Sequence, residues 1–121
     1  YNVTKTTTMF RAYHKEDDSA TALAYSAGRD LAQGTGDQQL SSTASADNDG
    51  NISGTFHLFN PSSTTFVKHF IARTNAVTGN AESMEYYMGG YANTTSAVDA
   101  IKFLFSSGNI DAGTFKMYGV K

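Results

Sequence analysis

The chain has 121 residues, the length of one domain, and a formal net charge of −2. Its 9 lysine and arginine residues are scattered, whereas binding to a nucleic-acid backbone needs a basic stripe. No apolar run is long enough to span a membrane, no secretory leader is evident, and the absence of cysteine excludes disulfides and thiolate metal sites. We therefore expect one globular domain that needs no cofactor and binds neither nucleic acid nor membrane.

Apolar residues alternate with polar ones along most of the chain, which is typical of β-strands with one buried face. In the first such segment, Phe10 and Ala12 share one face while Met9, Arg11 and Tyr13 share the other. Residues 19–31 fit a strand followed by a loop, with a short helix as the alternative. The other alternating segments are residues 55–59, 66–72, 101–105 and 114–118.

Clusters of Gly, Asn, Asp and Ser separate these segments and predict turns. They lie at residues 16–19, 34–37, 47–51, 60–63, 79–80, 89–90 and 106–113. Seven or eight short strands joined by such turns predict an all-β fold, an antiparallel two-sheet sandwich of jelly-roll type spanning residues 1–121. One wall of its core would be formed by Ile101, Phe103, Phe105, Phe115 and Met117.

The Asp- and Asn-rich string at residues 47–51 is the part of the sequence most similar to a calcium loop. Alignment of Gly50 with the invariant glycine of such loops places Phe56 where a bidentate glutamate should close the coordination shell. We therefore favour a turn between strands over an irregular calcium site.

Neither the histidines nor the carboxylates form a recognisable catalytic or metal-binding pattern. His14, His57 and His69 are dispersed, and the face that His69 shares with Val67 and Ile71 suggests a core histidine. Glu82 and Glu85 are the nearest pair that could cleave a glycoside, with Asp99 and Asp111 further along the chain. A domain of this size has little room for the cleft that this chemistry needs, so we expect no enzyme.

A cluster of tyrosines at residues 86–91 supplies the candidate ligand or interface contacts, Tyr86, Tyr87 and Tyr91. Tyrosine combines an apolar ring with a polar tip, which suits both sugar stacking and protein interfaces. Because neighbouring residues of a strand point to opposite faces, at most one of Tyr86 and Tyr87 can join the core from that sheet.

Four strings in the second half of the chain resemble the carboxyl-terminal β-rich domain of tail-fibre-like virion proteins from environmental tailed phages. They are FNPSSTTFVK at residues 59–68, NTTSAV at 93–98, IKFLFSSGNI at 101–110 and GTFKMYG at 113–119. The resemblance covers residues 54–121. It agrees with the first residue, Tyr1, which is too bulky for ordinary removal of an initiator methionine. Either the amino terminus was cut or the chain is the carboxyl-terminal part of a longer protein, and we favour the second interpretation.

The resemblance implies a structural protein on the exterior of the virion, a fibre or appendage domain with a role in assembly and host adhesion. Alternatives are a capsid decoration protein and, third, a fragment of a polysaccharide depolymerase. By analogy with fibres and decoration knobs we expect a homotrimer that contacts other virion proteins and a host surface glycan or protein.

Overall fold

The computed structural model describes residues 2–120, which form five β-strands and no helix. Tyr1, on which the expectation of a longer chain depends, lies outside this range. The strands are β1 (Lys5–Lys15), β2 (Thr21–Tyr25), β3 (Ile52–Leu58), β4 (Lys68–Thr78) and β5 (Glu82–Ala92).

All five strands belong to one antiparallel sheet with the order β2-β1-β5-β4-β3. The three central strands are each 11 residues long, and the shorter β2 and β3 form the edges. The prediction of an all-β, antiparallel fold is confirmed. For residues 19–31, the strand and loop are correct and the helical alternative is wrong.

A second sheet is not formed within residues 2–120, and two predicted strands are wrong for this structure. Residues 101–105 and 114–118 belong to no strand, although their apolar residues alternate as predicted. A strand is stable only when its backbone N–H and C=O groups pair with a neighbour, and alternation alone does not supply that neighbour.

The sheet has two unlike faces because side chains alternate along each strand. The covered face carries the core cluster of buried residues, which comprises Met9, Ala72, Met84, Tyr86 and Met88. Half-buried Leu40, from the long connection between β2 and β3, packs against this cluster. The opposite face, called here the open face, has no such covering connection in the described part of the chain.

Hydrogen bonds hold the start of the long connection against β1. The Thr7 hydroxyl donates to the side-chain oxygen of Gln38 (2.6 Å) and accepts from the backbone N–H of Leu31 (2.8 Å). The Gln38 amide in turn donates to the Arg29 carbonyl (3.1 Å). Thr7 lies on the covered face, and the long connection supplies the hydrogen-bond partners of its hydroxyl. These bonds hold the connection over that face.

The predicted turns at residues 16–19 and 79–80 are confirmed, and each contains or adjoins a residue with positive φ, Asp18 (59°) and Ala81 (54°). The predicted turn at residues 89–90 is wrong, because both glycines lie inside β5. Gly90 is there because the strands approach closely: a Cβ at this position would lie 2.4 Å from the Thr6 carbonyl oxygen of β1.

Gly90→Ala is expected to lower the free energy of unfolding by about 1–3 kcal/mol, because the methyl group must push β1 away from β5. Its neighbour supplies the control, since a Cβ on Gly89 meets nothing closer than 3.6 Å. Gly89→Ala should change stability by no more than about 0.5 kcal/mol. Urea denaturation of the two variants checks this, and equal losses of stability would contradict the close approach of β1 and β5.

Candidate functional site

A row of side chains crosses the whole open face, with one residue from each strand. The register places Phe10 of β1 opposite Tyr25 of β2 and opposite Tyr87 of β5. Tyr87 lies opposite Arg73 of β4, which lies opposite Thr55 of β3. Cross-strand neighbours of this kind contact one another directly, so these five residues, here called the aromatic row, form one continuous strip.

The centre of the aromatic row is held by stacking and by charge. The rings of Phe10 and Tyr87 are 4.9 Å apart between centroids and nearly parallel, at 10°. The Arg73 guanidinium carbon lies 5.2 Å from the centroid of the Tyr87 ring, in cation–π range. Arg73 also donates a hydrogen bond to the Glu85 carboxylate, and this bond and the charge of Glu85 raise the pKa of Arg73 above its ordinary value.

A shallow groove runs beside the aromatic row, where Gly89 contributes no side chain to the next row. In that row Gly89 lies between Thr8 and Ile71, and Ile71 lies opposite His57. The groove has a volume of about 490 Å³. Its walls combine aromatic rings with hydroxyl, imidazole and guanidinium groups, from Thr8, Phe10, Thr55, His57, Arg73 and Tyr87.

The candidate contact residues fall into two groups. Tyr86 is wholly buried in the core cluster, where its hydroxyl hydrogen-bonds to that of Ser42, so it is not a surface contact in this chain. Tyr87 and Tyr91 both lie on the open face, and the Tyr91 ring centroid is 5.9 Å from that of His69. The prediction that Tyr86 and Tyr87 point to opposite faces is confirmed.

The groups considered for metal or acid–base chemistry are separated. Glu82 is buried on the covered face and accepts a hydrogen bond from the Thr78 hydroxyl (3.0 Å), whereas Glu85 lies on the open face. The two carboxylates therefore do not face a common cleft. Asp99 and Asp111 lie in the exposed residues near the carboxyl end of the chain. Nowhere in residues 2–120 do three His, Asp or Glu side chains gather as metal ligands would.

His14 and His69 are both exposed, and the interpretation of His69 as a core residue is wrong. His69 occupies the open face because Lys68 and Phe70, its neighbours on β4, take the buried positions. His14 hydrogen-bonds to the Asp18 carboxylate (2.8 Å) across the β1–β2 turn.

The string at residues 47–51 forms a turn in which the Gly50 N–H donates to the Asp47 carbonyl (3.0 Å). The Asp47 carboxylate accepts from the Ser45 hydroxyl (2.9 Å), so one of the proposed calcium-ligating groups is already used within the turn. This geometry agrees with the interpretation as a turn.

Residues 99–120, here called the carboxyl-terminal segment, are exposed throughout. Sixteen large apolar side chains are exposed in the described residues, and nine of them belong to this segment. For comparison, the buried apolar residues of the described residues number seven, so the segment alone exposes more apolar residues than the core buries. Aromatic contacts connect the segment to the covered side of the sheet. The Phe103 ring lies edge-on to the Phe56 ring of β3, with 6.3 Å between the centroids, and it stacks on the Phe115 ring, with 5.1 Å between the centroids.

Comparisons with known proteins find no matching family model, no similar curated protein and no similar solved structure. In residues 2–120 there is also no helix of the length and apolar character needed to cross a bilayer.

At the β2 end of the aromatic row, the Tyr25 hydroxyl donates to the Asp30 carboxylate at 2.6 Å. This bond lowers the pKa of Asp30 and raises the pKa of Tyr25. The two pKa shifts make the free energy of unfolding depend on pH in opposite directions. The contribution of Asp30 to stability is lost as the pH falls through its lowered pKa, and that of Tyr25 is lost as the pH rises through its raised pKa.

Tyr25→Phe is expected to bring the pKa of Asp30 back towards the ordinary aspartate value, because the main donor to its carboxylate is removed. Carbon-13 NMR titration of the Asp30 carboxyl measures this directly. The Asp17 carboxyl, whose pKa is lowered by a hydrogen bond from Ser19, is the internal control and should titrate unchanged. An Asp30 titration curve that does not move would contradict the Tyr25–Asp30 contact.

Proposed function

We propose that this chain is a non-catalytic structural module on the exterior of a tailed-phage particle, where copies of the chain associate and present the open face outwards. The observation that carries the association is the large apolar surface of the carboxyl-terminal segment. The phage setting is supported by the four sequence strings that resemble tail-fibre-like virion proteins.

The exposed area is larger than that of a compact monomer of the same mass. A folded monomer of 13.0 kDa is expected to expose about 6,300 Å², whereas this chain exposes 8457 Å². The excess is about 2,100 Å² for each copy. In a homotrimer with three equivalent contacts, each contact would then bury about 2,100 Å² in total, which is within the range of obligate interfaces.

The carboxyl-terminal segment is suited to pair with its own copy. Its apolar residues alternate at 101–105 and 114–118, the pattern of a strand that buries one face. Asp99 and Asp111 balance Lys102 and Lys116, so two copies of the segment would not repel each other by net charge.

We infer that segments from neighbouring copies form the second layer of a jelly-roll-like sandwich. Those segments lack strand neighbours in the isolated chain, and the ring contacts from Phe56 through Phe103 to Phe115 hold them on the covered side of the sheet. The covered face then acquires an apolar partner layer, while the open face remains accessible.

Sedimentation equilibrium of the 121-residue chain is expected to give a trimer of about three times the 13.0 kDa chain mass. The double substitution Phe115→Asp, Met117→Asp should shift the mass towards the monomer, because the two carboxylates added to each copy would have to be desolvated in the contacts or would repel one another. Leu23→Asp is the matched control, since Leu23 is 73% exposed but lies on the open face. It should remain trimeric.

A wild-type chain that stays monomeric at every concentration tested would overturn the proposed association. So would equal dissociation of the control and the double variant. The exterior location is tested separately by a map of the intact particle, in which the chain should occupy a fibre or appendage. A position between capsid subunits would favour a decoration protein, and absence from the particle would overturn the phage setting.

A further inference from the structure

We propose that the outer edge of β3 is the acceptor site for residues 114–118 of a neighbouring copy, which add a sixth strand to the sheet. The inference rests on the proposed association of copies, and it names the surface that receives the donated segment. Main-chain hydrogen bonds would supply much of the affinity, as they do wherever an extended segment adds to a sheet.

Half of the backbone hydrogen-bonding groups of β3 point away from the sheet. Next to the ends of its pairing with β4, the Phe59 N–H donates to the His69 carbonyl (2.9 Å), and the Val77 N–H donates to the Asn51 carbonyl (3.3 Å). In an antiparallel pair only every second residue is bonded to the partner strand, so the odd-numbered residues of β3 face β4. The even-numbered residues face outwards, and within residues 2–120 their N–H and C=O groups have no backbone partner: Ile52, Gly54, Phe56 and Leu58.

This edge carries none of the features that usually block the addition of a strand. Natural edges are protected by charged side chains, by proline or by a bulge. β3 contains no lysine, arginine, aspartate, glutamate or proline. Its register with β4 runs without a bulge over all 7 residues. An extended segment can therefore pair along the whole strand.

Residues 114–118 have the features of a matching donor. They take part in no backbone hydrogen bond within the described chain. Phe115 is 65% exposed, Met117 is 86% exposed, and the two alternate with residues that carry polar groups. Beside β3, these two side chains would extend the covered face next to Phe56, which packs against the core cluster. The residues between them would extend the open face, so both faces of the sheet keep their character.

The donor is a neighbouring copy because the segment of the same chain occupies a different position. Its Phe103 ring contacts the Phe56 ring on the covered side, and its Phe115 ring stacks on Phe103. The chain's own segment therefore lies against the face of β3 and leaves the hydrogen-bonding edge unpaired. A donor strand and a separate acceptor edge on each copy make a head-to-tail contact, and three such contacts can close into the ring of the proposed trimer.

Amide hydrogen exchange of the full 121-residue chain, measured by NMR on the trimer, tests the acceptor edge. The outward N–H groups of β3 should exchange at least about tenfold more slowly than those of β2, the strand at the opposite edge, because only those of β3 become hydrogen-bonded. The pairing of β2 with β1 leaves three outward N–H groups as the internal control, those of Thr21, Leu23 and Tyr25.

Ile52→Pro removes one outward N–H from the first residue of β3 and no hydrogen bond to β4. It should raise the concentration at which half of the trimers dissociate about fivefold or more, because one intermolecular hydrogen bond is lost. Thr21→Pro is the matched control, since it removes the outward N–H from the first residue of β2. Its trimer should dissociate as the wild type does, and equal weakening by the two variants would contradict the acceptor edge.

A trimer assembled from equal amounts of nitrogen-15-labelled and unlabelled chains identifies the donor. Isotope-filtered Overhauser cross-peaks should join the outward amide protons of β3 in labelled copies to Phe115 ring protons of unlabelled copies. Cross-peaks confined to one copy would overturn the exchange of segments. A trimer whose β3 amides exchange as fast as those of β2 contradicts only the acceptor edge, whereas a wild-type monomer contradicts the association and the acceptor edge with it.

Discussion

The pairing of β1 with β5 determines what each face of the sheet presents. These strands are joined over 11 residues, with Met9 opposite Met88 and Phe10 opposite Tyr87. Because side chains alternate, a shift of one residue in this register would exchange the core for the open face. Gly90 supports the register, since its missing side chain allows the two backbones to approach. The buried cluster and the exposed aromatic row are thus two consequences of one pairing.

The two faces divide the proposed functions between them. The covered face is closed in part by the long connection and leaves the carboxyl-terminal segment exposed beside it, which provides surface for association. The open face keeps its rings in contact with solvent next to paired charges.

Period-two alternation identified parts of β1, β3 and β4 from the sequence, and it separated Tyr86 from Tyr87 and Met9 from Phe10, but it did not identify the central strand β5. It could not show that Phe10 and Arg73 meet at Tyr87, because this contact depends on how strands distant in sequence are ordered and aligned. The same alternation predicted strands at residues 101–105 and 114–118, which the isolated chain does not form. A local pattern reports which face a segment would bury but does not provide the partner that it needs.

Nuclear Overhauser effects between aromatic side chains test the β1–β5 register most directly. In a uniformly labelled chain, the ring protons of Phe10 should show strong cross-peaks to those of Tyr87, and the Tyr86 ring should show cross-peaks to the methyl groups of the core methionines. Cross-peaks from Phe10 to Tyr86, with none to Tyr87, would mean that the strands pair in another register. Neither the core nor the aromatic row would then exist as described.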